Sequence, residues 1–341
     1  MTTTARRRWT KELEGEADGI AIGGSGPILL HGYDPPAGGM WVDNVIPGKL
    51  ASIDRTSGEF NWHSPCEVGY GRGFAAGFGA QGDVVVLGPS NEGHRAVRMS
   101  IETGELLAHE KIRPFDEALV FSDVSISVTA GRIAGLMTST LHEIWEYSKS
   151  GERYHHACRS GNRLFVIYTD VKTKKQGVLS LRADTGKPAG PVLPAVLPKI
   201  FGLAATDEEI VFLTQDVQSA LPQEVMVEFM VDLSQKSETA SMDHMTLLAL
   251  PSSAKRDEVP LWYDILRTEP LDEFVEVAIA ADSGKLYLVD GALLEVRDML
   301  TGRKLGEWAV PGLDERVAWQ VSDGACLVAE ETRISVFELP A

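Results

Sequence analysis

Two short stretches of the chain carry side chains that could do chemistry, and one of them is ERYHHACRSG at residues 152–161. It places His155, His156 and Cys158 close together, and imidazole with thiolate is a ligand set for zinc or copper. Side chains alternate along a strand, so His156 and Cys158 share one face and His155 points away. Because only two ligands converge, we expect a packed, hydrogen-bonded pair, with a metal site as the alternative.

The other stretch is PCEVGYGRG at residues 65–73, in a predicted loop. Its glycines follow a GxGxG spacing, but no helix or phosphate-binding Lys follows, so the pattern does not define a phosphate site. A nucleophilic thiol at Cys66 needs a base, and His63 is the only nearby candidate. We therefore expect an ordinary loop thiol. The candidate catalytic residues of the alternative hypothesis are Cys66, Tyr70, Arg72 and His156.

The composition limits the classes of function that fit this chain. Its 341 residues carry a formal net charge of −17, which repels phosphate backbones and disfavours nucleic acid as a partner. No apolar run approaches the roughly 18 residues of a membrane span. The opening residues lack the apolar core of a signal peptide, and three widely spaced cysteines without CxxC suit reduced thiols. We therefore expect a cytoplasmic protein that does not insert into membranes.

A turn signal recurs along the chain and predicts the elements that position these side chains. It is Ser or Thr followed by Gly, after a run of alternating apolar residues. The five copies are Ser57-Gly58, Thr103-Gly104, Ser150-Gly151, Thr185-Gly186 and Thr301-Gly302. Successive glycines are 46, 47, 35 and 116 residues apart, and the last interval has room for one more unit. This period is typical of propeller blades.

We predict an all-β, seven-bladed β-propeller of four-stranded antiparallel blades in a single domain. The predicted blades span residues 19–65, 73–112, 123–154, 155–194, 200–266, 274–311 and 315–341. The last blade lacks one strand, and residues 5–13 supply it, because Trp9 repeats the fourth-strand tryptophans of other blades. Closure by this strand removes open sheet edges. Residues 216–243 are a predicted insertion in blade five, where 222–234 fits both a helix and a strand and we favour the helix.

Two blades carry a closer signature, with Asp four residues before the turn Gly and Trp four to six residues after it. These are SIDRTSGEFNW in blade one and VRDMLTGRKLGEW in blade six. This unit resembles the PQQ-like, or quinoprotein-dehydrogenase-like, propeller repeat. The resemblance implies either a quinone-dependent dehydrogenase or a cofactor-free scaffold. The chain shows no export signal and no adjacent cysteine pair, so we expect a degenerate cytoplasmic member without cofactor or metal.

The predicted blades have unequal ends. The first–second and third–fourth connections lie at one end, called here the turn end, and are short. The second–third and blade-to-blade connections lie at the other end, the loop end, and include all the long segments. Binding residues concentrate on loops, and aromatic and Met side chains are enriched in interface cores. The candidate binding residues are Met40, Trp41, Val42, Tyr70, Phe115 and Phe229.

Two hypotheses of function follow from this asymmetry. The favoured one is a non-catalytic interaction or scaffold subunit that docks another protein through the loop end. The alternative is an enzyme of lyase, hydrolase or isomerase type with a pocket at the channel mouth of the same end. Met40, Trp41 and Val42 serve either as anchors for the partner or as a cover over that mouth.

Overall fold

The computed structural model describes residues 3–22, 26–33, 47–69, 74–90, 92–236, 244–254, 258–267, 277–314 and 317–339. Their strands form seven antiparallel sheets, six with four strands and one with five. The predicted fold class, a seven-bladed β-propeller, is confirmed. The chain divides into two compact units: residues 3–147 with 310–341 contain four blades, and residues 148–309 contain three.

The four-blade unit begins with a two-residue strand, Thr3–Thr4. Blade one consists of Glu16–Ile22, Ile28–Tyr33, Pro47–Ile53 and Phe60–Gly69. Blade two consists of Ala75–Phe78, Asp83–Ser90, Gly93–Ser100 and Leu106–Ile112. Blade three consists of Glu117–Leu119, Val124–Thr129, Arg132–Met137 and Glu143–Tyr147. Blade seven consists of Ala318–Ser322, Ala325–Glu330, Arg333–Glu338 and Arg6–Glu12.

The three-blade unit follows the same plan. Blade four consists of Glu152–Ser160, Arg163–Asp170, Gln176–Arg182 and Pro188–Leu197. Blade five consists of Lys199–Ala205, Glu209–Gln215, Met245–Pro251 and Trp262–Arg267. Blade six consists of Val277–Asp282, Lys285–Asp290, Leu293–Asp298 and Lys304–Ala309. A 3-10 helix, Val217–Ala220, and an α-helix, α1 (Gln223–Lys236), lie between the second and third strands of blade five. The predicted helix is therefore confirmed.

Blade seven is completed from the N-terminus, as predicted. Arg6–Glu12 pairs antiparallel with Arg333–Glu338, with Arg6 opposite Glu338 and Glu12 opposite Arg333. Thr10 Oγ1 lies 2.7 Å from Ser335 Oγ across the same pair. The closing strand is thus held by the backbone ladder and by side chains.

Apolar side chains of the central strands fill the spaces between neighbouring blades. In blade two, Val84, Val85, Val86 and Leu87 are all fully buried, because both faces of this strand are covered. Val84 and Val86 pack with Leu29 and other residues of blade one, whereas Val85 and Leu87 pack towards blade three. Because neighbouring blades cover both faces of this strand, its residues form an unbroken apolar run. An alternating pattern would instead be expected in a sheet with one face exposed to water.

Three fourth-strand tryptophans attach a blade to the next one in the ring. Each indole Nε1–H donates to a backbone carbonyl in the third–fourth turn of that blade. The pairs are Trp9 to Arg55 at 3.0 Å, Trp62 to Ile101 at 2.7 Å and Trp262 to Met299 at 2.9 Å. These bonds satisfy indole donors that the packing removes from water.

The glycines of the same turns explain why Ser/Thr-Gly recurs. Gly58, Gly104 and Gly302 adopt φ of 75°, 73° and 68°, a region that L side chains rarely enter. A Cβ on any of them would also come within 2.8 Å of the docked tryptophan ring. Glycine is needed here for the backbone conformation and for the close approach of the indole.

Blade three departs from the predicted strand assignment. Ser150-Gly151 is not its third–fourth turn but the connection to blade four, and the segment predicted as its fourth strand is the first strand of blade four. The true first strand, Glu117–Leu119, has only three residues and lies in a segment predicted as a loop. The third–fourth turn contains no glycine, since Leu141 takes the positive φ of 64°. The turn signal therefore missed it.

Candidate interaction site

Helix α1 occupies the loop end of blade five and is packed against that blade by one side. Phe229 is fully buried, and its ring lies edge-on to Tyr263 at 5.3 Å between centroids. Leu233, one turn further along, is also buried. The Tyr263 hydroxyl donates to Asp232 Oδ2 at 2.7 Å. Burial, followed by this carboxylate acceptor, raises the pKa of Tyr263 well above its usual range, so the phenol keeps its proton.

The C-terminal end of α1 is fixed by charge. Lys236 Nζ lies 2.8 Å from Asp264 Oδ1 and donates to the Ile265 carbonyl at 2.8 Å. Arg297 Nη1 contacts the other carboxylate oxygen of Asp264 at 2.8 Å. Burial disfavours the charge on Asp264, but the Lys236 hydrogen bond and Arg297 outweigh it and lower the pKa. These contacts hold the helix against blade five at its middle and at its end.

The outer side of α1 carries exposed apolar residues. Val227 is 67% exposed and Val231 is 49% exposed, and a spacing of four residues makes them neighbours on the helix surface. Glu224 and Glu228 are exposed beside them. Two valines next to two carboxylates on a fixed helix form a small amphipathic surface, called here the α1 face.

Two of the predicted binding residues lie in cores instead of on surfaces. Phe229 anchors α1, as described above, and Phe115 is buried between blades two and three with Leu87 and Leu141. Neither ring is accessible to a partner, which corrects their placement as exposed anchors. The sequence located the helix but missed Val227 and Val231, because in the helical conformation they lie outside the apolar stripe of Val225, Phe229 and Leu233.

Five other candidate residues, Met40, Trp41, Val42, Tyr70 and Arg72, lie outside the described residues. Their binding and catalytic roles stay predictions.

Cys66 lies in a strand, not in the predicted loop. It belongs to Phe60–Gly69, and its side chain is buried against blade two. Burial raises the pKa of the Cys66 thiol to about 11, so the reactive thiolate is disfavoured at neutral pH. His63 is exposed on the opposite face of this strand and cannot act as its base. The geometry therefore does not assemble a thiol–imidazole pair.

A β-bulge changes the pattern predicted for the histidine-rich strand of blade four. Tyr154 pairs with Tyr168 and Ala157 with Val166, so His155 and His156 occupy an irregular step between them. Both histidines are exposed, whereas Cys158 is half-buried opposite Phe165. The expectation that His155 points away from His156 is therefore wrong, because the bulge leaves both histidines exposed between buried Tyr154 and Ala157. Across the described residues, no group of three or more His, Cys, Asp or Glu side chains has the geometry to hold a metal ion.

A charged cluster at the loop end of blades one and two was not predicted. Glu67 Oε2 lies 2.6 Å from Arg95 Nη1 and 2.5 Å from His109 Nδ1. The hydrogen bond with His109 is the main cause that lowers the pKa of Glu67. These residues come from three strands and are up to 42 positions apart, so only the blade register reveals their contact.

Blade one also buries an acid–base pair that the sequence did not indicate. His31 Nδ1 is 3.3 Å from Asp18 Oδ2, and Nε2 is 3.3 Å from the Val68 carbonyl. The imidazole stacks on Phe74 at 4.0 Å, and a Cβ at Gly48 would come within 2.3 Å of Nε2. The ring is thus enclosed on several sides, which fits a packing role.

The sheets and the blade-five insertion define a β-propeller protein with a helical projection at one end. Among solved structures, the chain is similar to the hydrazine synthase of Kuenenia stuttgartiensis, with a TM-score of 0.62 and 11% identity over 96% of both chains. BamB from Moraxella catarrhalis gives a TM-score of 0.46 and 13% identity, covering 98% of this chain and 100% of that one.

The likeness to hydrazine synthase shows the fold alone, and that to BamB is too low to carry an argument. No family model and no curated protein sequence match the chain. The propeller fold is therefore shown, and the PQQ-like repeat family stays a prediction. No described helix has the length and apolar character needed to cross a membrane.

Proposed function

We propose that this propeller is a non-catalytic interaction subunit that docks a partner protein at its loop end through the α1 face. The observation that carries the proposal is the exposure of Val227 and Val231 on a helix whose other side is fixed by Phe229, Leu233 and Lys236. A fixed helix loses little conformational freedom on binding, so more of the contact energy appears as affinity.

The chemistry of the α1 face defines the partner that would fit it. An apolar groove receives a helix through residues at i and i+4, which matches Val227 and Val231. Glu224 and Glu228 favour Lys or Arg on the rim of that groove. The net charge of −17 adds long-range attraction for a basic partner.

The environment of Cys66 also supports a binding role over thiol chemistry. Its thiol is buried, and a pKa of about 11 keeps it protonated at neutral pH. Within this proposal, Met40, Trp41, Val42 and Tyr70 contribute further contacts at the same end, and the protein acts in the cytoplasm without a cofactor.

The test compares two double variants in blade five. Val227→Ser/Val231→Ser removes the apolar contacts of the α1 face. Val259→Ser/Leu261→Ser makes a similar change at the turn end of the same blade, where these side chains are 52% and 42% exposed. Each tagged protein is used for affinity purification from its native host, and recovered proteins are quantified by mass spectrometry.

We expect the α1 variant to lose a partner that the wild type and the turn-end variant retain. Removing an interface anchor costs about 2 kcal/mol or more, which corresponds to about a 30-fold loss of affinity. Both variants should unfold at the wild-type temperature, because the substituted side chains are exposed. Equal partner recovery by all three proteins would contradict the proposal.

A further inference from the structure

The fourth strand of blade two, Leu106–Ile112, is an exposed sheet edge. Within the described residues, it is the outermost strand of its four-stranded sheet and pairs only with the third strand, Gly93–Ser100. Leu106 is 51% exposed and Leu107 is 53% exposed. The ladder is irregular between Leu106 and Ala108, so Leu107 is an extra residue and both leucines face solvent.

The other fourth strands carry features that discourage pairing with a further strand. Proline interrupts those of blades one and four, at Pro65 and at Pro188, Pro191 and Pro194. The strand of blade seven starts with three arginines, and that of blade three has only five residues.

In blade five, helix α1 approaches the edge strand, and Lys236 Nζ bonds the Ile265 carbonyl. The fourth strand of blade six, Lys304–Ala309, is already followed by a fifth strand in its sheet. Natural sheets use prolines, charges, short strands and covering elements to block edge pairing. The blade-two strand has no proline; its first three residues are Leu, Leu and Ala, and its charged residues, Glu110 and Lys111, lie in its second half.

Acidic residues precede the exposed leucines. Glu102 and Glu105 lie in the third–fourth turn and are exposed. Among the described residues, neither carboxylate has an ion-pair partner. The blade-two edge, defined here as Glu102 to Ile112, thus combines a strand paired on one side, two exposed apolar side chains and, in Glu102 and Glu105, two carboxylates without an ion-pair partner among the described residues.

We propose that the blade-two edge binds an extended segment of a second partner protein, as an added β-strand that carries Lys or Arg beside apolar residues. Backbone hydrogen bonds supply affinity in strand addition, and alternate side chains supply specificity. Leu106 and Leu107 contact the apolar side chains, and Glu102 and Glu105 attract the basic ones. This surface belongs to blade two, whereas the α1 face belongs to blade five.

A second copy of this chain fits the edge less well than a basic segment. Pairing two copies would bring their exposed carboxylates together and would oppose two chains of −17 charge. Like charges across a strand pair are destabilising. Charge complementarity therefore selects a basic partner over self-association.

The probe for this edge is a fluorescein-labelled peptide of alternating Val and Lys, eight residues long and blocked at both ends. Its control is the same peptide with alternate backbone amides methylated, which keeps the charge and removes hydrogen-bond donors. Fluorescence anisotropy is measured with the wild type and with Leu106→Lys/Leu107→Lys. The matched variant is Leu300→Lys/Leu305→Lys in blade six, where the leucines are 55% and 43% exposed.

We expect the wild type to bind the unmethylated peptide, with the blade-two variant and the methylated peptide each weakening binding by about tenfold. The blade-six variant should bind within twofold of wild type, although its charge changes equally. Glu102→Gln/Glu105→Gln should weaken binding and reduce its salt dependence.

Absence of binding to the wild type would overturn the proposal, as would equal binding of the methylated peptide or an equal loss in the blade-six variant. Light scattering adds one more outcome. A wild-type dimer that becomes a monomer in Leu106→Lys/Leu107→Lys would identify a second copy as the occupant and would also overturn it. Val227→Ser/Val231→Ser should bind the peptide normally, which separates this test from that of the α1 face.

Discussion

The attachment of one blade to the next by tryptophan can be tested with a single methyl group. Gly104 has φ of 73°, and a Cβ there would lie 2.5 Å from Trp62 Cε3 and 2.6 Å from Ser64 Oγ. Gly82, in the first–second turn of the same blade, has φ of 72°, but its nearest neighbour would be Ile101 Cγ2 at 3.9 Å. The two glycines share the backbone conformation and differ in the space around them.

The difference in space predicts a difference in stability. Replacing either glycine with Ala introduces backbone strain of about 1 kcal/mol. At Gly104 the indole must also move, which adds overpacking of about 1 kcal/mol. The same movement weakens the 2.7 Å bond from Trp62 to the Ile101 carbonyl, for about 1 kcal/mol more. We therefore expect Gly104→Ala to lower the free energy of unfolding by about 3 kcal/mol and Gly82→Ala by about 1 kcal/mol.

Urea denaturation of both variants provides the assay, with Trp fluorescence reporting the environment of the indole. Gly104→Ala should also change the native emission, whereas Gly82→Ala should not. If the two substitutions lower the free energy of unfolding equally, backbone strain alone accounts for both and the docking explanation is wrong.

The remaining predictions concern thiols and a surface carboxylate. Alkylation at pH 8 should modify half-buried Cys158 faster than Cys66. Cys158→Ser should therefore remove the fast phase of thiol modification. Rapid reaction of Cys66 would contradict its burial and its raised pKa. Glu67 has a lowered pKa through His109, so it contributes stability above its unfolded pKa and loses it as pH falls through the folded value. Glu67→Gln should therefore lower the free energy of unfolding at pH 7, by less than about 1 kcal/mol, and this difference should shrink towards pH 3; a constant difference would contradict the ion pair.

The sequence predicted the blades well because their signals are local. Alternating runs and Ser/Thr-Gly turns marked most strands, and Trp9 identified the strand that completes blade seven. Blade three escaped this reading because its first strand has three residues and Leu141 replaces glycine in its turn. Ser150-Gly151 matches the residue pattern of the third–fourth turns, but it connects blade three to blade four.

The candidate site was harder to predict because exposure depends on packing between distant segments. Phe229 and Phe115 are apolar residues in long connections, and the sequence does not distinguish an anchor for a partner from an anchor for the fold. Phe229 is buried by Tyr263, which follows it by 34 positions. The bulge after Tyr154 likewise depends on pairing with the next strand, so the faces of His155 and His156 could not be read from alternation.

Photo-crosslinking from the α1 face tests the central claim most directly. The photoreactive residue p-benzoylphenylalanine is placed at Val227 in one protein and at Val259 in another, and each is irradiated in lysate of the native host. We predict a discrete adduct with a partner protein from position 227 and none from position 259. A partner that co-purifies with both proteins but crosslinks only from position 259 would contradict docking through α1.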